Sequence, residues 1–360
     1  MLNSACEVES TANSSDAALP RTALPRLGGT WGPLVDGFGR VHTDLRVSVT
    51  DRCNLRCTYC MPAEQVEFKP RSELLTFEEI ERFVRVAARL GVNKLRLTGG
   101  DPLVRRELHV LVAKLAAIPG LADIALSTNG LLLAEQAQAL KDAGLHRLNV
   151  SLDALDPEAF QQIARRDGLQ RVLNGIFTAQ QVGFDRIKLN AVAIRGITER
   201  QVVPLSRFAR EHRLELRFIE FMPLDADAAW SNGQVLSGDE IRAQIEREVG
   251  PLECTTGGDP SQPATDYRFV DGGGSIGFIN TVTQPFCDAC NRLRLTAEGQ
   301  IRNCLFSIEE WDARGLMRGG GSDEQLARLI SSSVGAKKAS HGINTADFHR
   351  PARAMFQIGG

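Results

Sequence analysis

Eight cysteines punctuate the 360-residue chain, and their spacing is its most chemically specific feature. Cys53, Cys57 and Cys60 form C-x3-C-x2-C. Three thiolates packed this closely bind metal, yet they fall one short of the four-ligand set of a closed structural zinc or ordinary iron–sulfur site. One coordination position would stay open for a substrate or cofactor. The alternative is a zinc knuckle completed by a remote Cys or His. A second group comprises Cys287, Cys290 and Cys304. Between Cys290 and Cys304, the β-like runs RLRLT (292–296) and QIRNC (300–304) flank Ala297-Glu298-Gly299, a three-residue hairpin loop with glycine at its last position. Pairing Thr296 with Gln300 puts Cys304 opposite Arg292, so the hairpin returns the third thiol to the first two. Cys254 is a candidate fourth ligand, but alone beside Thr255 and Gly257 it reads as a bystander, and Cys6 sits in the N-terminal leader without a structural role.

Cations accompany the thiols. Arg292 and Arg294 are two positions apart on one β run and therefore share a face. With Arg46, Arg96 and Lys188 they form a set of five that suits a polyanionic ligand such as a nucleoside triphosphate. No Walker A pattern is present, so the phosphates are not held by a P-loop.

The elements that must bring these residues together are legible in the first part of the chain. Short β-like runs begin at Leu45, Lys94, Asp123, His146, Asp185 and Leu214, spaced as in βαβ units. Helices between them have readable starts: a Thr76-x-x-Glu79 capping box, Asp156 followed by Pro157 at N1, and an apolar stripe through Leu108, Leu111, Val112 and Leu115. This alternation predicts a parallel sheet. Every second strand residue is polar: Arg46, Ser48, Thr50; Lys94, Arg96, Thr98; Ser127, Asn129; Asn149, Ser151, Asp153; Lys188, Asn190. Parallel strands covered on both faces read as near-continuous apolar runs, so we expect a curved sheet whose polar face lines a ligand-filled lumen. The competing reading is a half-exposed sheet with solvated charges.

After Met222 the alternation stops and glycine rises, placing a boundary near Pro223 and giving a leader at 1–30, a barrel domain at 31–222 and a C-terminal domain at 223–360. Gly272, Gly274 and Gly277 match G-x-G-x-x-G, but no helix pattern follows, which predicts a glycine-rich β turn rather than a dinucleotide site. The leader is Ser/Ala/Thr-rich without apolar periodicity, and Glu7, Glu9 and Asp16 argue against a transit peptide. Lys+Arg 42 against Asp+Glu 44 leaves a net charge of −2, excluding a basic nucleic-acid coat. No apolar run is long enough to span a membrane, and the chain reads as cytoplasmic.

The C-x3-C-x2-C motif with Tyr59 before its last cysteine resembles that of radical S-adenosylmethionine enzymes. More closely, LRVSVTDRCNLRCTYCMP, LRLTGGDPLVRR, STNG, NVSLDAL, KLNAV, FIEFMP, CDACNRLRLT, the DGFGR segment from Asp36 and the terminal Gly359-Gly360 resemble the GTP 3′,8-cyclase family of molybdenum cofactor biosynthesis. The resemblance runs from about Leu34 to Gly360 and implies an α/β fold, an incomplete six-stranded (β/α) TIM-like barrel with a C-terminal iron–sulfur domain. It further implies one [4Fe–4S] cluster on Cys53, Cys57 and Cys60, and a second on Cys287, Cys290 and Cys304. S-adenosylmethionine would contact Tyr59, Gly100, Ser151 and Met222. GTP would contact Arg46, Arg96, Ser127, Lys188, Arg292, Leu293 and Arg294. Arg292, Arg294, Gly359 and Gly360 would serve catalysis, the glycines by entering the active site where no side chain fits. An external electron donor, a homodimer and a functional link to cyclic pyranopterin monophosphate synthase also follow from the resemblance, and nucleic acid does not. The sequence departs from the family at Asp101, where Gly-Gly-Glu-Pro is usual; the shorter side chain puts a contact to the cofactor's ammonium group in question.

Two rivals share parts of this pattern. A radical peptide-modifying enzyme also has two cysteine regions, but usually more auxiliary cysteines. A zinc-stabilised binding module would carry more charge or interleaved aromatics than this chain does. His341 and His349 read as surface or core residues rather than ligands.

Overall fold

The computed structural model describes residues 31–256 and 259–359, so the leader, Cys6 and Gly360 lie outside the described residues. Six parallel strands form in the order anticipated: β1 Asp44–Ser48, β2 Lys94–Thr98, β3 Asp123–Thr128, β4 Arg147–Ser151, β5 Ile187–Ala193 and β6 Glu215–Glu220. Helices α1 Phe77–Arg89, α2 Leu108–Ala116, α3 Leu133–Asp142, α4 Pro157–Ala164, α5 Leu169–Gln181 and α6 Val202–Glu211 connect them. The start signals act as read. Glu79 N donates to Thr76 Oγ1 (3.2 Å) while Thr76 N donates to Glu79 Oε2 (2.8 Å), and Ala159 N donates to Asp156 Oδ1 (2.8 Å).

The apolar strand residues Leu45, Val47, Leu95, Leu97, Leu126, Leu148 and Leu189 are buried in one core with Ile80, Phe83, Leu111 and Val172 of the helices. The alternate residues, Arg46, Arg96, Ser127, Asn149, Asn190 and Arg217, contributed by six successive strands, line a single cavity. Six strands can present one face to one cavity only if the sheet curls around it.

The C-terminal region adds β7 Leu252–Cys254, β8 Thr265–Phe269, β9 Ser275–Ile279, β10 Arg292–Leu295, β11 Gln300–Arg302 and β12 Trp311–Asp312. These join the same sheet at both edges, in the order β12-β11-β10-β1-β2-β3-β4-β5-β6-β9-β8-β7. Both β10 on β1 and β9 on β6 are parallel pairings. The glycine-rich segment is a β8–β9 hairpin turn closed by Phe269 N to Gly274 O (3.1 Å). The β10–β11 hairpin has the expected register: Arg294 pairs with Arg302, and Thr296 N donates to Gln300 O (2.9 Å).

Candidate active site

The first cysteine group sits on the loop after β1. Cys57 O accepts from Cys60 N (2.9 Å) and Met61 N (3.0 Å), folding the motif into one tight turn. Two glycines after β2 let the neighbouring loop close onto it: Gly100 N donates to Thr50 O and Asp101 N to Arg52 O, both at 2.8 Å. A Cβ on Gly100 would stand 2.5 Å from Arg52 O, so only glycine permits this approach. The Asp101 side chain is turned away from the cavity and accepts from Leu103 N (2.9 Å), Thr128 Oγ1 (2.8 Å) and Asn129 N (2.7 Å). Its carboxylate is thus engaged by the scaffold.

Burial raises all three thiols above their ordinary pKa, Cys53 to about 11 and Cys57 and Cys60 further. Thiolates here would therefore require a metal to hold their charge. Leu55 N (3.4 Å) and Asn129 Nδ2 (3.5 Å) already point at Cys53 Sγ, the kind of donor that supports a ligating sulfur. Tyr59 donates its hydroxyl to Asp153 Oδ2 (2.8 Å), whose other oxygen accepts from Val192 N (2.8 Å). Tyr59, Gly100, Ser151 and Met222 line the same cavity as the thiols.

The second group faces it. Cys290 N donates to Cys287 O (3.1 Å), and Cys304 follows β11 on the returning limb of the hairpin. Cys290 Sγ lies 3.2 Å from Arg292 Nη2 and 3.4 Å from Lys337 Nζ. Burial alone would raise the Cys290 thiol, but these two cations outweigh it and bring it down to about 6. Arg40 braces the turn from behind, donating to Cys287 O and Ala339 O (2.8 Å each) and pairing through Nε with Asp36 (2.6 Å). All six cysteines line one cavity. Among the described residues no three His, Cys, Asp or Glu side chains converge on one metal-ion position. A cubane spreads its ligands over separate irons and needs no such convergence.

Between the two groups lie the cations. Arg46 and Arg96 have no hydrogen bond or ion pair to any described residue, and their Nε atoms are buried without a partner. Burial and the neighbouring guanidiniums, opposed by Asp44, hold Arg46 well below the usual arginine range; burial lowers Arg96 as well, with Asp44 again opposing. Arg294 donates to Gly359 O, placing the penultimate residue inside the lumen, where a Cβ would stand 2.5 Å from Thr98 Oγ1. Arg217 belongs to this set and was not singled out from the sequence; among the described residues its hydrogen-bonding partners are Asp266 (3.3 Å) and Gln262 (3.5 Å). Gly277 makes room for it, since a Cβ there would meet Arg217 Cγ at 3.1 Å.

Other expected residues sit differently. Ser127 lines the cavity, whereas Lys188 shares its strand face with Asn190 but lies outside the lining and pairs with Glu215. The Leu293 side chain is wholly buried in the apolar core between its two arginines, leaving only its backbone for a ligand. His341 lines the cavity against Phe306 (ring centroids 4.9 Å apart), while His349 is exposed. Cys254, on β7, does not line the cavity.

Comparison with known proteins agrees with this geometry. The Radical SAM superfamily profile matches residues 47–209, and the Molybdenum Cofactor Synthesis C profile matches residues 214–343. The chain is 52% identical over 330 residues to a GTP 3′,8-cyclase of Rhodopirellula baltica, covering 91% of this chain and 92% of the relative. It is 46% identical over 338 residues to a GTP 3′,8-cyclase of Mycolicibacterium smegmatis, covering 91% and 92%. Among solved structures, Streptococcus suis SuiB bound to S-adenosylmethionine aligns with a TM-score of 0.53 at 15% identity, covering 81% of this chain and 68% of that one, a likeness of fold. By sequence over nearly its whole length, the chain belongs to the GTP 3′,8-cyclase family of radical S-adenosylmethionine enzymes.

Proposed function

We propose that Cys53, Cys57 and Cys60 would hold a [4Fe–4S] cluster supplying a site for S-adenosylmethionine, and that Cys287, Cys290 and Cys304 would hold a second cluster supplying a site for the guanine of GTP. Family membership makes the chain a radical enzyme that cyclises GTP in molybdenum cofactor biosynthesis, with a [4Fe–4S] cluster and S-adenosylmethionine. Its product is 3′,8-cyclo-7,8-dihydro-GTP, which cyclic pyranopterin monophosphate synthase would consume. The observation that carries the site assignment is the pair Arg46 and Arg96, whose buried Nε atoms have no hydrogen-bond partner among the described residues and which line one cavity with the two groups of three cysteines. Buried cations left unpaired are costly, and a triphosphate would relieve that cost.

When bound, the first cluster and the cofactor supply a 5′-deoxyadenosyl radical able to take hydrogen from C3′ of GTP. The chain's own residues prepare for it. Arg46, Arg96, Arg217 and Ser127, which line the cavity, bind the triphosphate and ribose and fix C3′ within attack distance. Tyr59, held by Asp153, orients the cofactor with Gly100, Ser151 and Met222. Leu55, Val192, Ile219 and Phe221 line the cavity and exclude water that would quench a radical. Arg292, Leu293 through its backbone, and Arg294 approach the guanine, where they stabilise charge as the cyclised intermediate is reduced by an external electron donor. Among the described residues no helix is long and apolar enough to cross a membrane.

Two variants test this reading under dithionite after anaerobic reconstitution. Cys57→Ala should abolish 5′-deoxyadenosine formation. Cys304→Ala should retain that cleavage, lose cyclisation, and lower iron from about eight to about four per chain. Full iron and full GTP turnover in Cys304→Ala would overturn the second cluster.

A further inference from the structure

The C-terminal strap, from about Phe348 to Gly359, runs between the two cysteine groups. Phe356 packs with Met61 and Ala354 beside Cys53, Cys60, Val66 and Phe68. Ile358 packs on the opposite side with Leu224, Val282 and Phe306, next to Cys304. Its only helix is the single turn Met355–Ile358, too short to hold a position by itself. Packing at Phe356 and Ile358, the Met355 N to Leu224 O bond (3.0 Å) and the Arg350–Asp225 pair (3.1 Å) hold the strap against the loop after β6 and the first cysteine group. Its depth relative to Arg292 and Arg294 depends on a tie to their own hairpin.

Arg353 is placed to make that tie. Its Nη1 donates to Glu298, its Nη2 to Glu310 Oε2 (2.7 Å), and its Nε lies 2.6 Å from Glu310 Oε1. Glu298 sits in the loop joining β10 to β11, with its side chain 8% exposed, and Glu310 is also paired with Arg302 of β11. That loop is itself rigidly held: Ala297 O accepts from Leu75 N (2.9 Å) and Gly299 O from Ala313 N (3.0 Å). At its other end the strap is bonded by Arg294, which lies on β10. Both ends of the glycine-bearing segment are therefore referenced to one hairpin.

We propose that Arg353 is a positioning residue that ties the strap to the β10–β11 hairpin and so sets the depth of Gly359 relative to Arg292 and Arg294. The proposal rests on the reading that the strap takes part in cyclisation. Arg353 is not among the residues lining the cavity, and its effect is transmitted along the strap. Loosening it lets the strap end spread over positions, and misplacement by about 1 Å costs roughly 10²-fold in a step that depends on alignment. Cofactor cleavage at the first cysteine group depends less on the strap and continues, uncoupled from product.

Arg353→Met alone leaves Glu298 buried and unpaired, which threatens folding. The double variant Glu298→Gln/Arg353→Met removes both charges and leaves Glu310 its pair with Arg302. In reconstituted holoenzyme it should keep wild-type iron, lose hydrogen-exchange protection at residues 355–359, and yield at least tenfold less cyclised product per 5′-deoxyadenosine. Arg353→Lys should recover part of that ratio. A variant lacking Gly359 and Gly360 separates the two levels of the argument. If that deletion cyclises normally, the strap has no part in the reaction and this proposal falls with that reading. If the deletion fails while the double variant couples normally, the strap matters and Arg353 does not set it. Loss of iron from the double variant, or a strap that stays protected, would likewise overturn the positioning role.

Discussion

Gly359→Ala tests most directly whether insertion of the strap has steric limits. A Cβ at this position would lie 2.5 Å from Thr98 Oγ1 and 2.9 Å from Ser48 Cβ. Both are buried on adjacent strands and cannot recede. The backbone is at φ +83°, where a residue with a side chain is disfavoured by about 1–2 kcal/mol. Forcing an extra methyl into a filled site adds about 1–3 kcal/mol. Together, about 2–5 kcal/mol opposes insertion, which lowers the inserted population by about 30-fold to a few thousandfold. Cyclisation should fall accordingly. The anchors at Phe356 and Ile358 are untouched, so the thermal midpoint and iron content should stay near wild type. Product and 5′-deoxyadenosine are quantified together under dithionite, with thermal unfolding on the same preparation. Wild-type cyclisation by well-folded Gly359→Ala protein would refute the steric argument, because the inserted state would then tolerate what the geometry forbids.

Two further expectations concern stability. Burial pushes His42 down to about 4, with Lys337 and Arg40 adding to the shift and Asp36 opposing it (Oδ2 to Nε2, 3.0 Å). The unfolded histidine takes a proton near pH 6.5 and the folded one only near 4, so stability present above pH 6.5 is lost as pH falls to 4, by up to about 3 kcal/mol. His42→Gln keeps a donor for Asp36 and should flatten that slope in denaturant midpoints; an unchanged slope would assign it to another group. Asp101→Asn leaves one oxygen where two are used; with it kept on Thr128 Oγ1 and Asn129 N, the new amide nitrogen faces Leu103 N, donor against donor. We expect a loss of about 2–3 kcal/mol, read by chemical denaturation, and a wild-type midpoint would show that the carboxylate is dispensable to the scaffold.

Much of the lumen was legible because a parallel sheet with a polar inner face betrays itself by alternation. Arg46, Arg96, Ser127 and Asn190 were found that way. Arg217 shares its face with Glu215 on β6, but the alternation breaks just beyond it, with Ile219 on the polar face and Glu220 on the apolar one, which hides the pattern. Lys188 shows a different limit. Alternation gives the face of a residue and not its depth, and Lys188 lies too near the start of β5 to line the cavity. The cysteine hairpin could be folded on paper because its register depends on a local turn. Arg40 with Cys287, Lys337 with Cys290, and Arg353 with Glu298 are contacts between segments distant in sequence, and no local pattern announces them. The parallel pairing of β10 with β1 escaped for the same reason.

That pairing bears on how the protein is made. The sheet's first strand must wait for β10, and its sixth for β9, before either edge is covered. A chain emerging from the ribosome therefore carries two open strand edges through much of its synthesis. Unpaired edges invite association with other chains, and contacts this distant in sequence close slowly. Because the strands that seal the sheet come from the region bearing the second cysteine group, the shelter of the first group and the completion of the second are outcomes of one late folding event. Metal delivery before that event would meet thiols on an unfinished scaffold, exposed to oxidation and to mispairing.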